Sequence, residues 1–157
     1  MDITELVGAV QTLNAEDAFR PRLSLEQWRM VAQYLTPHEI RGGDMLIRQG
    51  DVDRTMYLLA RGTLQMFTSG AGAAPRVAVL RAGSLVGETT LFLDGPHLAN
   101  VEAMGPCTVW ALRAPRFEEL AQRQPPLALE LARAAGGVLA RRLLAAQRPA
   151  AATPSRY

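Results

Sequence analysis

Lysine is missing from this sequence altogether, so all 17 basic side chains of the 157-residue chain are arginine. Any anion must therefore be held without the motif lysine of a phosphate-binding loop. Cysteine occurs once, at Cys107, which excludes an internal disulfide. Within the apolar run Cys107 to Leu112 it reads as a buried structural thiol, and nothing points to an oxidising compartment. The two histidines, His38 and His97, have no close spacing to each other or to Cys107, so no metal site is expected. No Ser-His-Asp or paired-carboxylate pattern stands out, and the chain is not expected to be an enzyme. No run approaches the roughly 18 to 20 apolar residues of a membrane span. Met1 to Gly8 carries Asp2 and Glu5 instead of a basic leader, so a soluble cytoplasmic protein is expected. Glu130 is the last acid, whereas Arg133, Arg141, Arg142, Arg148 and Arg156 are spread from there to the end. With so few charges and no interleaved aromatics, these read as solvated groups on a helix and its tail, and contact with nucleic acid or a membrane surface is the weaker alternative.

What is present suits one domain with a core of its own. Asp2 with Glu5 has the form of a capping box before Leu6, Val10 and Leu13, and the spacing predicts a short amphipathic helix, followed by a link; residues 1–22 form this unit. Ser24 with Gln27 repeats the pattern before Trp28, Val31, Ala32 and Leu35, a helix expected to end at Pro37. From His38 the apolar period shortens, and glycine-marked turns separate short runs around Met45 to Ile47, Met56 to Ala60, Thr63 to Thr68, Arg76 to Leu80 and Thr108 to Leu112. Gly70 and Gly72 belong to a flexible hairpin loop, since the remainder of a dinucleotide fingerprint is missing. The fold class is mainly β with flanking helices: an antiparallel β-roll or jelly-roll barrel with N-terminal helices and two C-terminal helices. The first closing helix follows Ala114-Pro115, with Phe117, Leu120 and Ala121 on one face. The second runs from about Leu127 to Ala146, and the segment 147–157 is a disordered tail.

In the second closing helix, Leu129, Ala132, Gly136, Leu139 and Leu143 recur at spacings of three and four, flanked by Leu127, Leu131, Ala134 and Val138. Gly136-Gly137 costs about 1 kcal/mol per glycine relative to alanine, which close packing would offset. A partner helix in a homodimer and the chain's own barrel are both open as the packing surface.

The stretch Leu85 to Val101 does not read as ordinary scaffold. Gly87-Glu88 ends an apolar run, Glu88 to Leu93 is long enough for one or two helical turns, Asp94-Gly95-Pro96 stops them, and an extended run from His97 to Val101 returns. A strand, a glycine, a short helix and a return strand bring free N–H groups toward one point, as anion sites do. Gly43 to Asp51, Tyr57 to Gly62 and Gly83 to Glu88, taken with this stretch, resemble the cyclic nucleotide-binding domain found in catabolite-activator-type regulators, protein kinase A regulatory subunits and cyclic nucleotide-gated channels. The resemblance covers roughly Leu23 to Leu144, within a domain expected over residues 23–146, and Val86-Gly87-Glu88 with Leu91 to Val101 is similar to the form appended to bacterial SulP-type transporters.

The resemblance implies a regulatory ligand-sensing domain without catalytic activity. It implies cyclic AMP or cyclic GMP as ligand, with cyclic di-GMP less favoured, and contacts from Gly87, Glu88, Thr89, Thr90, His97, Leu98, Ala99 and Asn100. Gly87 would bring its backbone to the ligand and Glu88 would accept from the ribose 2'-hydroxyl. Apart from the resemblance, Glu88 reads as an acid at a helix N-terminus, Thr89 and Thr90 as capping residues, and His97 as a strand histidine. Where the family has its phosphate-binding arginine this sequence has His97, and where it has a hydroxyl residue this sequence has Asn100. Loss of a bidentate, charge-assisted contact weakens binding by about 2 to 3 kcal/mol, ten-fold to several hundred-fold in dissociation constant. Weak or altered nucleotide binding is expected, and the competing reading is a degenerate domain serving as an interaction or dimerisation module. Arg81, just before the stretch, is expected to be solvated. The sequence leaves no room for a winged DNA-binding domain after the last helix, so output is expected through an effector protein or a dimer partner.

Overall fold

The computed structural model describes residues 2–70 and 77–148. Helices α1 (Thr4–Thr12) and α2 (Leu25–Ala32) precede strands β1 (Thr36–Ile40), β2 (Met45–Ile47), β3 (Thr55–Arg61), β4 (Thr63–Phe67), β5 (Val77–Arg81) and β6 (Leu85–Val86). A short helix α3 (Thr89–Phe92) leads to β7 (Asn100–Ala103) and β8 (Cys107–Arg113), and α4 (Ala114–Arg123) and α5 (Pro125–Gln147) close the chain of elements. All the pairings are antiparallel, in two sheets ordered β1-β8-β3-β6 and β2-β7-β4-β5. This is the expected β-roll with helices at both ends.

The pleat explains why β3 and β8 read as continuous apolar runs. Successive side chains point to opposite faces of a strand. Met56, Leu58, Trp110 and Leu112 face the helices, where they join Leu6, Val10, Phe19, Trp28, Leu120, Leu131 and Val138 in one core. Leu59, Cys107 and Val109 face the other way and meet Ile47, Leu64, Leu80, Val86 and Val101 between the sheets. Trp28 is 1% exposed in the first core, so truncation to alanine should cost about 3 to 5 kcal/mol. Cys107 is buried as expected, with its thiol near the Thr63 and Gly105 carbonyls.

Local signals hold where they depend on near neighbours. The Ser24 hydroxyl accepts from the Gln27 N–H at 3.1 Å while the Gln27 side chain accepts from the Ser24 N–H at 2.9 Å, a complete capping box. Asp2 accepts from the Thr4 N–H, but the box expected with Glu5 does not close, because Glu5 is drawn to Arg61, whose Nε lies 3.0 Å away. Pro37 does not end α2, which stops at Ala32; it lies inside β1, an edge strand where a missing N–H is tolerated. The return run expected from His97 becomes regular strand only at Asn100. His97 instead joins the turn at Arg48 to Asp51, its N–H donating to the Asp51 carbonyl at 2.8 Å and its carbonyl accepting from Gly50 at 2.9 Å.

The N-terminal helix is buried through Leu6, Val7 and Val10, so it shares the main core with the strands. Of the two apolar sets on α5, the one turned inward is Leu127, Ala128, Leu131, Ala134, Ala135 and Val138. Leu129 and Leu143 of the other set are exposed. The first part of the expected Arg76 to Leu80 strand, most of the glycine-containing loop, and the expected tail beyond Arg148 lie outside the described residues. No described helix is long and apolar enough to cross a membrane.

Candidate functional site

The turn at Gly87 links the two sheets, since β6 pairs with β3 in one and β7 pairs with β2 and β4 in the other. Gly87 has φ +77°, and a Cβ there would fall 2.7 Å from the Thr55 carbonyl oxygen and 3.3 Å from both His97 Cε1 and Ile47 Cδ1. Only a residue without a side chain can pass so close in the left-handed region. Thr90, 2% exposed, fixes the turn from within, donating both its hydroxyl (2.7 Å) and its N–H (3.1 Å) to the Gly87 carbonyl.

A cavity of about 240 Å³ opens beside this turn. Gly87, Glu88 and Thr89 form one wall, and His97, Leu98 and Ala99 form the next. Ile47, Met66 and Val101 supply an apolar floor from the sheet, and α5 closes the far side with Leu139, Arg142 and Leu143. An apolar site with a few placed polar groups suits a small ligand that has a flat or hydrophobic part and a polar part. Six of the eight residues expected at the site therefore line one cavity. The other two face elsewhere: Thr90 is the internal cap just described, and Asn100 accepts from the Gln49 N–H at 2.9 Å and donates to the Ser69 hydroxyl at 2.9 Å. The Asn100 amide is thus taken up in joining the end of β2 to the end of β4.

Glu88 is 6% exposed. Its charge is met from α5: Arg142 Nη1 lies 2.9 Å from Glu88 Oε2. The same guanidinium donates from Nε to Asp17 Oδ2 at 2.8 Å and from Nη2 to the Leu85 carbonyl at 2.7 Å. Burial opposes the charge on Arg142, but the Glu88 and Asp17 carboxylates outweigh it and hold its pKa above the ordinary arginine value. Nη1 is shut off from solvent and its approach to Glu88 is a charge contact without hydrogen-bond alignment.

His97 is 3% exposed and its Nε2 lies 2.6 Å from Asp53 Oδ1. An ionised carboxylate can only accept, so Nε2 carries the proton and donates it to Asp53. That nitrogen is engaged away from the cavity, and the edge His97 turns to Gly87 is Cε1. Arg81, as expected, is exposed; its Nη2 reaches the Asn14 carbonyl at 3.2 Å, away from the cavity.

Arg142 corrects the reading of the C-terminal arginines as solvated charge. Its neighbours Arg133 and Arg148 are exposed and pair with Glu130 and Glu16, but Arg142 has only 15% of its side chain exposed. The signal was its position: it follows Val138 by one helical turn and Ala135 by two, and so continues the inward stripe of α5. A charge there must meet counter-charges, which Glu88 and Asp17 provide. Asp53 was likewise missed, because its link to His97 spans 44 positions of sequence.

Residues 37–124 match the family model described as the cyclic nucleotide-binding domain. The chain is 35% identical over 80 residues to the acetyltransferase Pat of Mycolicibacterium smegmatis, which is 51% of this chain and 24% of that protein. It is 30% identical over 122 residues to the cyclic AMP receptor protein of Thermus thermophilus, 77% of this chain and 55% of that one. The chain thus spans between a quarter and about half of these curated relatives. In three dimensions a cyclic nucleotide-binding domain from Methylobacillus flagellatus superimposes with a TM-score of 0.79, covering 91% of this chain and 79% of that one at 18% identity, a likeness of fold. The match over 88 consecutive residues, which contain the glycine turn, its buried glutamate and the cavity walls built by the strands, identifies the chain as a member of the cyclic nucleotide-binding domain family.

Proposed function

We propose that the domain is a non-catalytic sensor that takes a cyclic nucleotide, cyclic AMP or cyclic GMP, into the cavity beside Gly87, with weaker binding than a site bearing arginine at position 97 would give. The observation that carries this reading is Glu88: a buried carboxylate at the mouth of the glycine turn, facing an apolar cavity and balanced by the Arg142 guanidinium of α5. Its acceptor oxygens suit ribose hydroxyls, and the apolar walls suit a base. The ionic link from Glu88 to Arg142 ties the cavity to α5. A ligand that engages Glu88 competes for that link, shifting the populations of α5 positions and passing the signal to an effector or to a second copy docked on the exposed α5 face around Leu129 and Leu143.

That same face supports the second reading, in which the domain has lost its ligand and serves only as a dimerisation or interaction module. Calorimetric titration with cyclic AMP, cyclic GMP and cyclic di-GMP separates the two. On the sensor reading the wild type binds one cyclic mononucleotide and His97→Arg binds it ten-fold to several hundred-fold more tightly. Silence from all three with the wild type, and binding that appears only in His97→Arg, would establish the second reading.

A further inference from the structure

Resting on the sensor reading, the structure assigns a ligand role to a residue outside the glycine turn: we propose that Arg142 of α5 takes the anionic group of the ligand, because the Nε2 edge of His97 is engaged by Asp53. Three observations lead there. Among the described residues lining the cavity Arg142 is the one arginine, and Arg81 is held by Asn14 elsewhere. The imidazole of His97 has its Nε2 proton committed to Asp53 at 2.6 Å. The third is the state of Arg142 itself: Nε and Nη2 are anchored on Asp17 and the Leu85 carbonyl, which fixes the plane of the guanidinium, while Nη1 has a charge contact but no aligned acceptor. A guanidinium held on one edge with donors left over on the other is prepared for a phosphate oxygen.

The anchoring also sets the strength. Arg142 is already flanked by two carboxylates, Glu88 and Asp17, so an incoming anion meets a largely neutralised cation. The ribose hydroxyls and the charged group of one ligand would then satisfy Glu88 and Arg142 together. A neutral nucleoside can meet only the first of these. Ligand charge is thereby read by α5 itself.

The test compares cyclic AMP with adenosine, which lacks the phosphate, on the same folded chains by calorimetry, with circular dichroism confirming the fold. For Arg142→Gln the expected result is a loss ten-fold to hundred-fold greater for cyclic AMP than for adenosine; Arg142→Lys should keep part of the preference. If Arg142 only docks α5, both ligands lose equally, and that result overturns the proposal. Should Arg142→Gln fail to fold, Asp17→Asn decides: removing a competing carboxylate should tighten cyclic AMP three-fold to ten-fold and leave adenosine unchanged, and no change, or an equal change in both, overturns the proposal. Wild-type binding of cyclic AMP with Arg142→Gln unaffected overturns this inference alone. A wild type that binds neither ligand overturns both the inference and the reading beneath it.

Discussion

Replacing Arg142 by methionine, which keeps the length and removes the charge, leaves the Glu88 carboxylate buried without a cation. Breaking a buried pair by deleting one partner costs about 3 to 5 kcal/mol. Asp17 adds little to this, because its side chain is 31% exposed and water can take over its solvation. The reverse change, Glu88→Gln, is milder: Arg142 keeps Asp17 at 2.8 Å and the Leu85 carbonyl at 2.7 Å, so about 1 to 2 kcal/mol is expected. In the double variant there is no stranded charge, and its loss should fall about 2 kcal/mol short of the two single losses together. Urea denaturation followed by circular dichroism measures all four proteins. With a slope of about 2 kcal/mol/M, Arg142→Met should move the midpoint by about 2 M. Losses that add to within about 0.5 kcal/mol would show that the pair is not coupled, and would refute the claim that α5 is tied to the glycine turn through these charges.

Other consequences follow from the same geometry. Gly87→Ala places a methyl 2.7 Å from the Thr55 carbonyl oxygen in a left-handed conformation, for a cost of about 2 to 4 kcal/mol. At about 2 to 4 °C per kcal/mol, melting should fall by roughly 10 °C, and a melt unchanged from wild type would contradict the close approach. Hydrogen bonding to Arg133, helped by the Arg22 N–H, lowers the pKa of Glu130 from 4.5 to about 2. A carboxylate depressed in the fold contributes stability above its unfolded value and loses it as pH falls, so this contribution should be complete above pH 4.5 and disappear as pH approaches 2. Asp2 and Glu16 are shifted the same way by the Thr4 N–H and the Arg148 guanidinium. Denaturation midpoints across this range should decline less steeply in Glu130→Gln, and an identical decline would remove Glu130 from the explanation. Ser24→Ala should lose about 1 kcal/mol through the broken capping box, read as a lower urea midpoint at unchanged slope.

What could be read in the sequence was what depends on residues close together in it. The Ser24 and Gln27 box, the break at Asp94 to Pro96 and the turn at Gly87 are decided within a few positions, and all are present. The β3 and β8 runs gave strands but not their order, which places β8 between β1 and β3. The site was legible on the same terms. Gly87, Glu88 and the His97 to Ala99 bend lie in one stretch, but the charges that govern them come from distant parts of the chain. Arg142 reaches Glu88 because α5 folds back over the turn, and Asp53, just ahead of β3, reaches His97 from 44 positions away. Counting charges along the chain treated Arg142 as one of a solvated group, when its place on the inward stripe of α5 was the better guide. Asn100 shows the opposite case: its position in the sequence suggested the ligand, and its amide is consumed in tying Gln49 to Ser69.

Calorimetric titration of the wild type and of Glu88→Ala with cyclic AMP and cyclic GMP tests the central claim most directly. Saturable binding of one of them at one site per chain, lost in a Glu88→Ala protein that still melts cooperatively, is the result predicted. Binding that survives the loss of Glu88, or no heat with either nucleotide from a folded wild type, would contradict it.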